Sequence, residues 1–188
     1  MLKNLKKLLE YEKKDKAILD IVIYGSIVKG KRNVNDIDIM VIFLRGSLKD
    51  RLNRLQEIKS RLKNLKDDYN LDVKQMDIKE FFSSAFLART GLLSEGISVF
   101  NNKKFCETLG FRSFSFFWYN LDGLSHSEKV KFNYILAGRT TKGMIKELNG
   151  ERLVNGAIKI PIENSFVFEE ILKNNKVKYS KKNILEEL

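Results

Sequence analysis

Two apolar runs joined by a polar loop do most to limit how this chain can fold. Ile18-Leu-Asp-Ile-Val-Ile-Tyr24 is β-branched and stops at Gly25. Asp36-Ile-Asp-Ile-Met-Val-Ile-Phe-Leu44 begins by alternating acid with isoleucine and then stays apolar. Such residues suit a pleated, buried backbone, so both runs read as strands. Alternation puts Asp36 and Asp38 on one face and sends Ile37 and Ile39 to the other, into a core. Strand rise alone sets the two aspartate Cα atoms about 6.5–7 Å apart. Like charges so close on a buried strand are costly unless a cation neutralises them.

The loop between the strands adds phosphate chemistry. Gly25 ends the first strand and lets an anion approach the backbone. Ser26 offers a hydroxyl and an N–H, and Lys29 offers a compensating charge for a triphosphate. The loop is neither G-x-x-x-x-G-K-[ST] nor G-x-G-x-x-G. A third alternating run, Tyr69-Asn-Leu-Asp-Val-Lys-Gln-Met-Asp77, reads as another strand. Paired next to the second, at about 4.8 Å, it would bring Asp72 beside the acidic pair. Asp77, five residues on, falls on the opposite face and reads as the cap of a following helix. Three carboxylates around two cations suit in-line phosphoryl or nucleotidyl transfer.

Ile23-Tyr-Gly-Ser-Ile-Val-Lys-Gly30, followed by Asn35-Asp-Ile-Asp-Ile39, resembles the polymerase-β-like nucleotidyltransferase superfamily, and within it the minimal nucleotidyltransferase branch. That branch often reads Gly-Ser-x-x-Arg-Gly and Ser-Asp-h-Asp, where h is apolar; here Lys29 stands for the arginine and Asn35 for the serine. The resemblance covers about residues 18–100. It implies an enzyme that transfers a nucleoside monophosphate from an NTP, ATP by expectation, to a hydroxyl, with release of pyrophosphate. It implies that Asp36 and Asp38 hold two Mg2+ ions, that Asp72 joins one of them and favours deprotonation of the attacking hydroxyl, and that Gly25, Ser26 and Lys29 hold the β- and γ-phosphates. The acceptor is expected to be RNA or another nucleic acid. The alternatives are a protein or small-molecule acceptor, as in antitoxin-type relatives, and a non-catalytic nucleic-acid-binding module on the same fold.

Composition narrows the remaining classes. Over 188 residues, 35 Lys and Arg face 24 Asp and Glu, a net charge of +11 that suits a polyanionic partner. One cysteine, Cys106, rules out a disulfide framework, and one histidine, His126, rules out a multi-His metal site. Cys106 reads as a buried, inert thiol and His126 as a surface residue inside a capping box. No run is long and apolar enough for a membrane span and the N-terminus lacks a signal-peptide core, so the expected location is cytoplasmic.

The expected fold class is α/β: a nucleotidyltransferase palm with a mixed sheet and flanking helices over residues 1–100, and a smaller α+β accessory, acceptor-binding domain over 101–188. Leucines at helical spacing predict helices over 2–16 and 48–66, and a further helix is expected over 78–90. Ser125-His-Ser-Glu128 starts another, and Asn155-Gly156 marks a hairpin. Helix, helix and hairpin in that order have the outline of a winged helix. The aromatic run Phe114–Tyr119 is expected to pack in a core, with base stacking as the alternative. The basic stretches Lys49–Lys66 and Lys173–Lys182 read as solvated faces or as surfaces that track a phosphate backbone.

Overall fold

A computed structural model describes residues 2–25, 27–28, 36–63, 70–139 and 142–188. The chain forms two compact units, Met1–Gly110 and Phe111–Leu188.

The first unit is built on a four-stranded mixed sheet in the order β3-β2-β1-β4. β1 (Ile18–Tyr24) pairs antiparallel with β2 (Asp36–Phe43), and β2 pairs parallel with β3 (Asn70–Asp77) along its whole length. Parallel neighbours need a crossover, which α2 (Leu48–Arg61) supplies. Ser47 starts α2 with a capping box: its Oγ accepts from the Asp50 N–H while the Asp50 carboxylate accepts from the Ser47 N–H.

Both faces of this sheet are buried. Ile37, Ile39, Val41 and Phe43 pack with Ile21 and Ile23 beneath Leu5 and Leu9 of α1 (Leu2–Glu10) and Leu55 and Ile58 of α2. Met40 and Ile42 point the other way. They pack with Val22 and Met76 against Phe81 of α3 (Ile78–Phe82), Leu92 of α4 (Arg89–Glu95) and Phe105 of α5 (Phe105–Thr108). Asp36 and Asp38 are therefore the polar start of a row that turns apolar at Met40.

Three local differences from the sequence expectation have physical causes. The first helix stops at Glu10 and gives way to a tight turn, Tyr11–Lys14, because Glu12 turns inward, 1% exposed, to meet Arg54 and Arg61 of α2. The helix expected over 78–90 breaks at Ser83 into α3 and α4. Residues 101–110 pack with the first unit, since Phe105 and Cys106 are buried and the Phe105 N–H donates to the Gly96 carbonyl at 2.8 Å. The two-residue β4 (Ile97–Ser98) is tied to β1 by the buried Asp20, which accepts from Ser98 Oγ at 2.6 Å and from the Ile21 N–H at 2.7 Å.

The second unit is a four-stranded antiparallel sheet in the order β6-β7-β5-β8. Its elements run β5 (Phe111–Asn120), α6 (His126–Ala137), α7 (Met144–Glu147), β6 (Glu151–Val154), β7 (Ala157–Pro161), α8 (Ser165–Asn174) and β8 (Lys178–Glu187). Phe117, Ile158 and Ile160 form its core with Phe132 and Leu136 of α6 and Phe168 and Leu172 of α8. The expected capping box at Ser125 and Glu128 starts α6, and His126 is its exposed first residue. The hairpin forms at Asn155-Gly156, where Gly156 takes the positive φ of +84° that the turn requires.

The winged-helix outline is not what forms. The β6–β7 hairpin is no free wing, because β7 pairs with β5, and the lysine-rich tail is a ten-residue strand paired along the whole of β5. Among the described residues no helix is long and apolar enough to cross a membrane.

Candidate active site

The site is assembled at the start of β2. In the parallel register Asp36 lies opposite Asn70 and Asp38 opposite Asp72. On the other side of β2, Asp38 lies opposite Tyr24 of β1. Even-numbered positions of β2 and β3 share one face, so Asp36, Asp38, Asp72 and Lys74 fall together. The pairing needed to bring Asp72 beside the acidic pair is thus present.

Gly25 closes the site from the end of β1. Its φ is +83°, and a Cβ built there would sit 2.2 Å from Asp38 Oδ2, so any side chain there would displace the Asp38 carboxylate. The missing Cβ lets the Asp38 carboxylate lie against the backbone where β1 ends. Ser26 and Lys29 lie outside the described residues.

Electrostatics ties the same groups together. Burial pushes the Asp38 carboxyl above the usual carboxylate range; Asp72 and Asp36 add to the rise and Lys74 opposes it. Burial also raises the Tyr24 phenol, with Asp38 and Asp72 adding and Lys74 opposing. Lys74 Nζ lies 2.6 Å from Asp72 Oδ2, which holds the lysine more firmly protonated. Asn70 donates its side-chain N–H to Asp36 Oδ1 at 2.9 Å.

Asp36 and Asp72 are thus engaged with Asn70 and Lys74. Among the described residues no three His, Cys, Asp or Glu side chains close around a metal-sized point. The donor set itself fits a hard divalent cation: carboxylate oxygens only, clustered, with Asp38 destabilised as an anion. Receiving one would require Asp72 to turn from Lys74.

Asp77 is placed apart from this group. It caps α3 in a box with Glu80 and meets Arg51 of α2 at 2.7 Å, on the opposite side of the strand. Tyr24, Asn70 and Lys74 were not singled out from the sequence. Lys74 was signalled there, since it stands two residues after Asp72 in an alternating strand and so shares its face.

A search of curated proteins found no match to the chain. The family model for polymerase beta nucleotidyltransferase matches residues 6–104, just over half of the 188. That match spans β1 and β2 with Asp36 and Asp38, the crossover helix and the edge strand β3 with Asp72, and the chain belongs to the polymerase beta nucleotidyltransferase family.

Proposed function

We propose that this chain transfers a nucleoside monophosphate from an NTP to a hydroxyl of a nucleic-acid acceptor, releases pyrophosphate, and depends on a divalent metal such as Mg2+. One observation carries the reading most directly: the parallel register sets Asp72 opposite Asp38, with Asp36 two residues away on the same face. The net charge of +11 favours a polyanionic acceptor over a neutral small molecule.

Asp36, Asp38 and Asp72 would hold the metal, which supplies charge stabilisation to the triphosphate and the leaving pyrophosphate. Gly25 keeps the end of β1 free of a side chain, so that the Asp38 carboxylate and a phosphate can share the space. Ser26 and Lys29 are proposed to hold phosphate oxygens. Asp72 is the group placed to favour deprotonation of the acceptor hydroxyl. Lys74 neutralises Asp72 until the site is occupied, and afterwards offers its charge to a phosphate. No side chain needs to act as a nucleophile, because positioning and charge carry phosphoryl-type transfer.

The test is incubation of the full chain with magnesium, each labelled NTP and an RNA acceptor. The expected result is labelled acceptor and released pyrophosphate, lost in Asp38→Asn and in excess EDTA. Absence of pyrophosphate with all four NTPs and with RNA, protein and small hydroxylated acceptors would sink the reading.

A further inference from the structure

The second unit follows a β-α-β-β-α-β plan in which β7 and β5 are the middle strands. Among the described residues of this unit, helices cover only one side of that sheet. Phe117 belongs to the covered side with Ile158 and Ile160. Phe114, Phe116 and Trp118 alternate with it on β5 and so occupy the opposite side. None of the three belongs to a core cluster, and Trp118 is 44% exposed. Phe116 and Trp118 meet edge to face, with ring centroids 4.2 Å apart at 70°, so the two rings are neighbours on this face.

Trp118 is exposed and Phe114 and Phe116 are half-buried, so this row leaves apolar surface in solvent that folding alone does not require. The charges around it indicate what covers it. Lys182 of β8 is the register partner of Phe116, and Lys178 that of Asn120, so both share the aromatic face. Glu151 and Glu186 share it too, but both are bound to Lys159, at 3.1 and 2.8 Å, and the Lys159 ammonium lies 4.8 Å from the Phe114 ring centroid. Glu151 falls in the row of Phe116 through Lys159, which neutralises it. Across the rows of Trp118 and Asn120 the face carries Lys178 and no acid. Flat aromatic rings beside lysines match unstacked bases joined by phosphates, and a four-stranded face of this kind stacks two or three bases in RNA-recognition modules.

We propose that this face binds single-stranded nucleic acid, with bases stacked on Phe116 and Trp118 and phosphates held by Lys178 and Lys182. The proposal stands on the second unit alone and does not rest on the transferase reading.

Trp118 is the only tryptophan in the chain, so its emission reports on this face directly. The full-length protein is titrated, in EDTA and without NTP, with fluorescein-labelled 12-mers of rU and dT and with a duplex of equal length. Trp118 emission should fall as a single strand binds, and the duplex should bind more weakly. Phe116→Ala and Trp118→Ala should each weaken binding about 5- to 150-fold, and Trp118→Phe should retain most of it. Lys182→Ala should reduce the slope of log affinity against log salt by about 0.7. Asp38→Asn should bind as the native chain does, which separates this outcome from failure of the transferase. Preference for rU over dT would assign the face to RNA; equal binding would support a platform that ignores the sugar. Unchanged Trp118 emission, or native affinity in Phe116→Ala with its thermal transition intact, would overturn the proposal.

Discussion

The two sheets have opposite exceptions. In the first, both faces of β1 and β2 are buried. The buried Asp20 is satisfied by Ser98 and the Ile21 N–H, and the acids left for chemistry are Asp36, exposed, and Asp38, half-buried, at the start of an apolar row. In the second, one face is buried and the other open, and the residue out of keeping is apolar: Trp118, exposed beside the half-buried Phe114 and Phe116. A charge that destabilises its own strand and an aromatic left in water are both costs to folding. Chemistry concentrates where a chain accepts such costs. The first sheet confines its exception to a strand end, as suits a small reacting centre. The second spreads it along a strand, as suits an extended ligand.

The contrast breaks first, and most severely, at Asp38. Asp38→Ala should lower transferase turnover roughly 10³-fold, the scale of several kcal/mol of charge stabilisation, without lowering the thermal transition. Steady-state pyrophosphate release and calorimetry on the same preparation check both halves. A comparable loss of stability would make Asp38 structural.

Next come two adjacent residues on opposite faces of β5. Phe117→Ala removes a buried ring and should cost about 3–5 kcal/mol in urea unfolding. Phe116→Ala should cost at most about 1 kcal/mol. Equal costs would mean that the aromatic row is core after all.

Gly25→Ala should cost about 1–2 kcal/mol for its left-handed backbone alone. The displaced Asp38 carboxylate should reduce turnover by more than that loss of stability explains. The smallest effect is in pH. Folding raises the Asp38 pKa, so its ionisation is less favourable in the folded chain. The corresponding stability is complete below the unfolded-state pKa and is lost as pH rises through the folded value. In EDTA, Asp38→Asn should flatten that decline in a thermal-melt series; a steeper decline would reverse the assigned sign.

Local chemistry made much of this legible. Ile18–Tyr24 and Asp36–Phe43 declare themselves by β-branching and alternation, and Ser125 with Glu128 declares a helix start, because each signal lies within a few residues. Asp72 was readable for the same reason, as an acid between apolar neighbours. Three things were not. β8 is rich in lysine and joins the sheet only through β5, so nothing within Lys178–Glu187 announces a strand. The break at Ser83 depends on where Phe81 finds its core, against Phe105 more than twenty residues on. The aromatic run splits between core and open face, and only the pairing partners decide that Phe117 goes in while Phe116 and Trp118 stay out.

The long β5–β8 pairing also sets an order of events during synthesis. Phe111 lies opposite Glu187 and Asn120 opposite Lys178, so the first strand of the second unit must wait for the last before one of its edges is satisfied. Contacts so distant in sequence close late and slowly. The nucleotidyltransferase unit has all its strands once residue 98 has emerged. The aromatic strand has its β8 edge unpaired until the chain is made through Glu187, an opening for mispairing that a folding catalyst or an early-bound ligand would close.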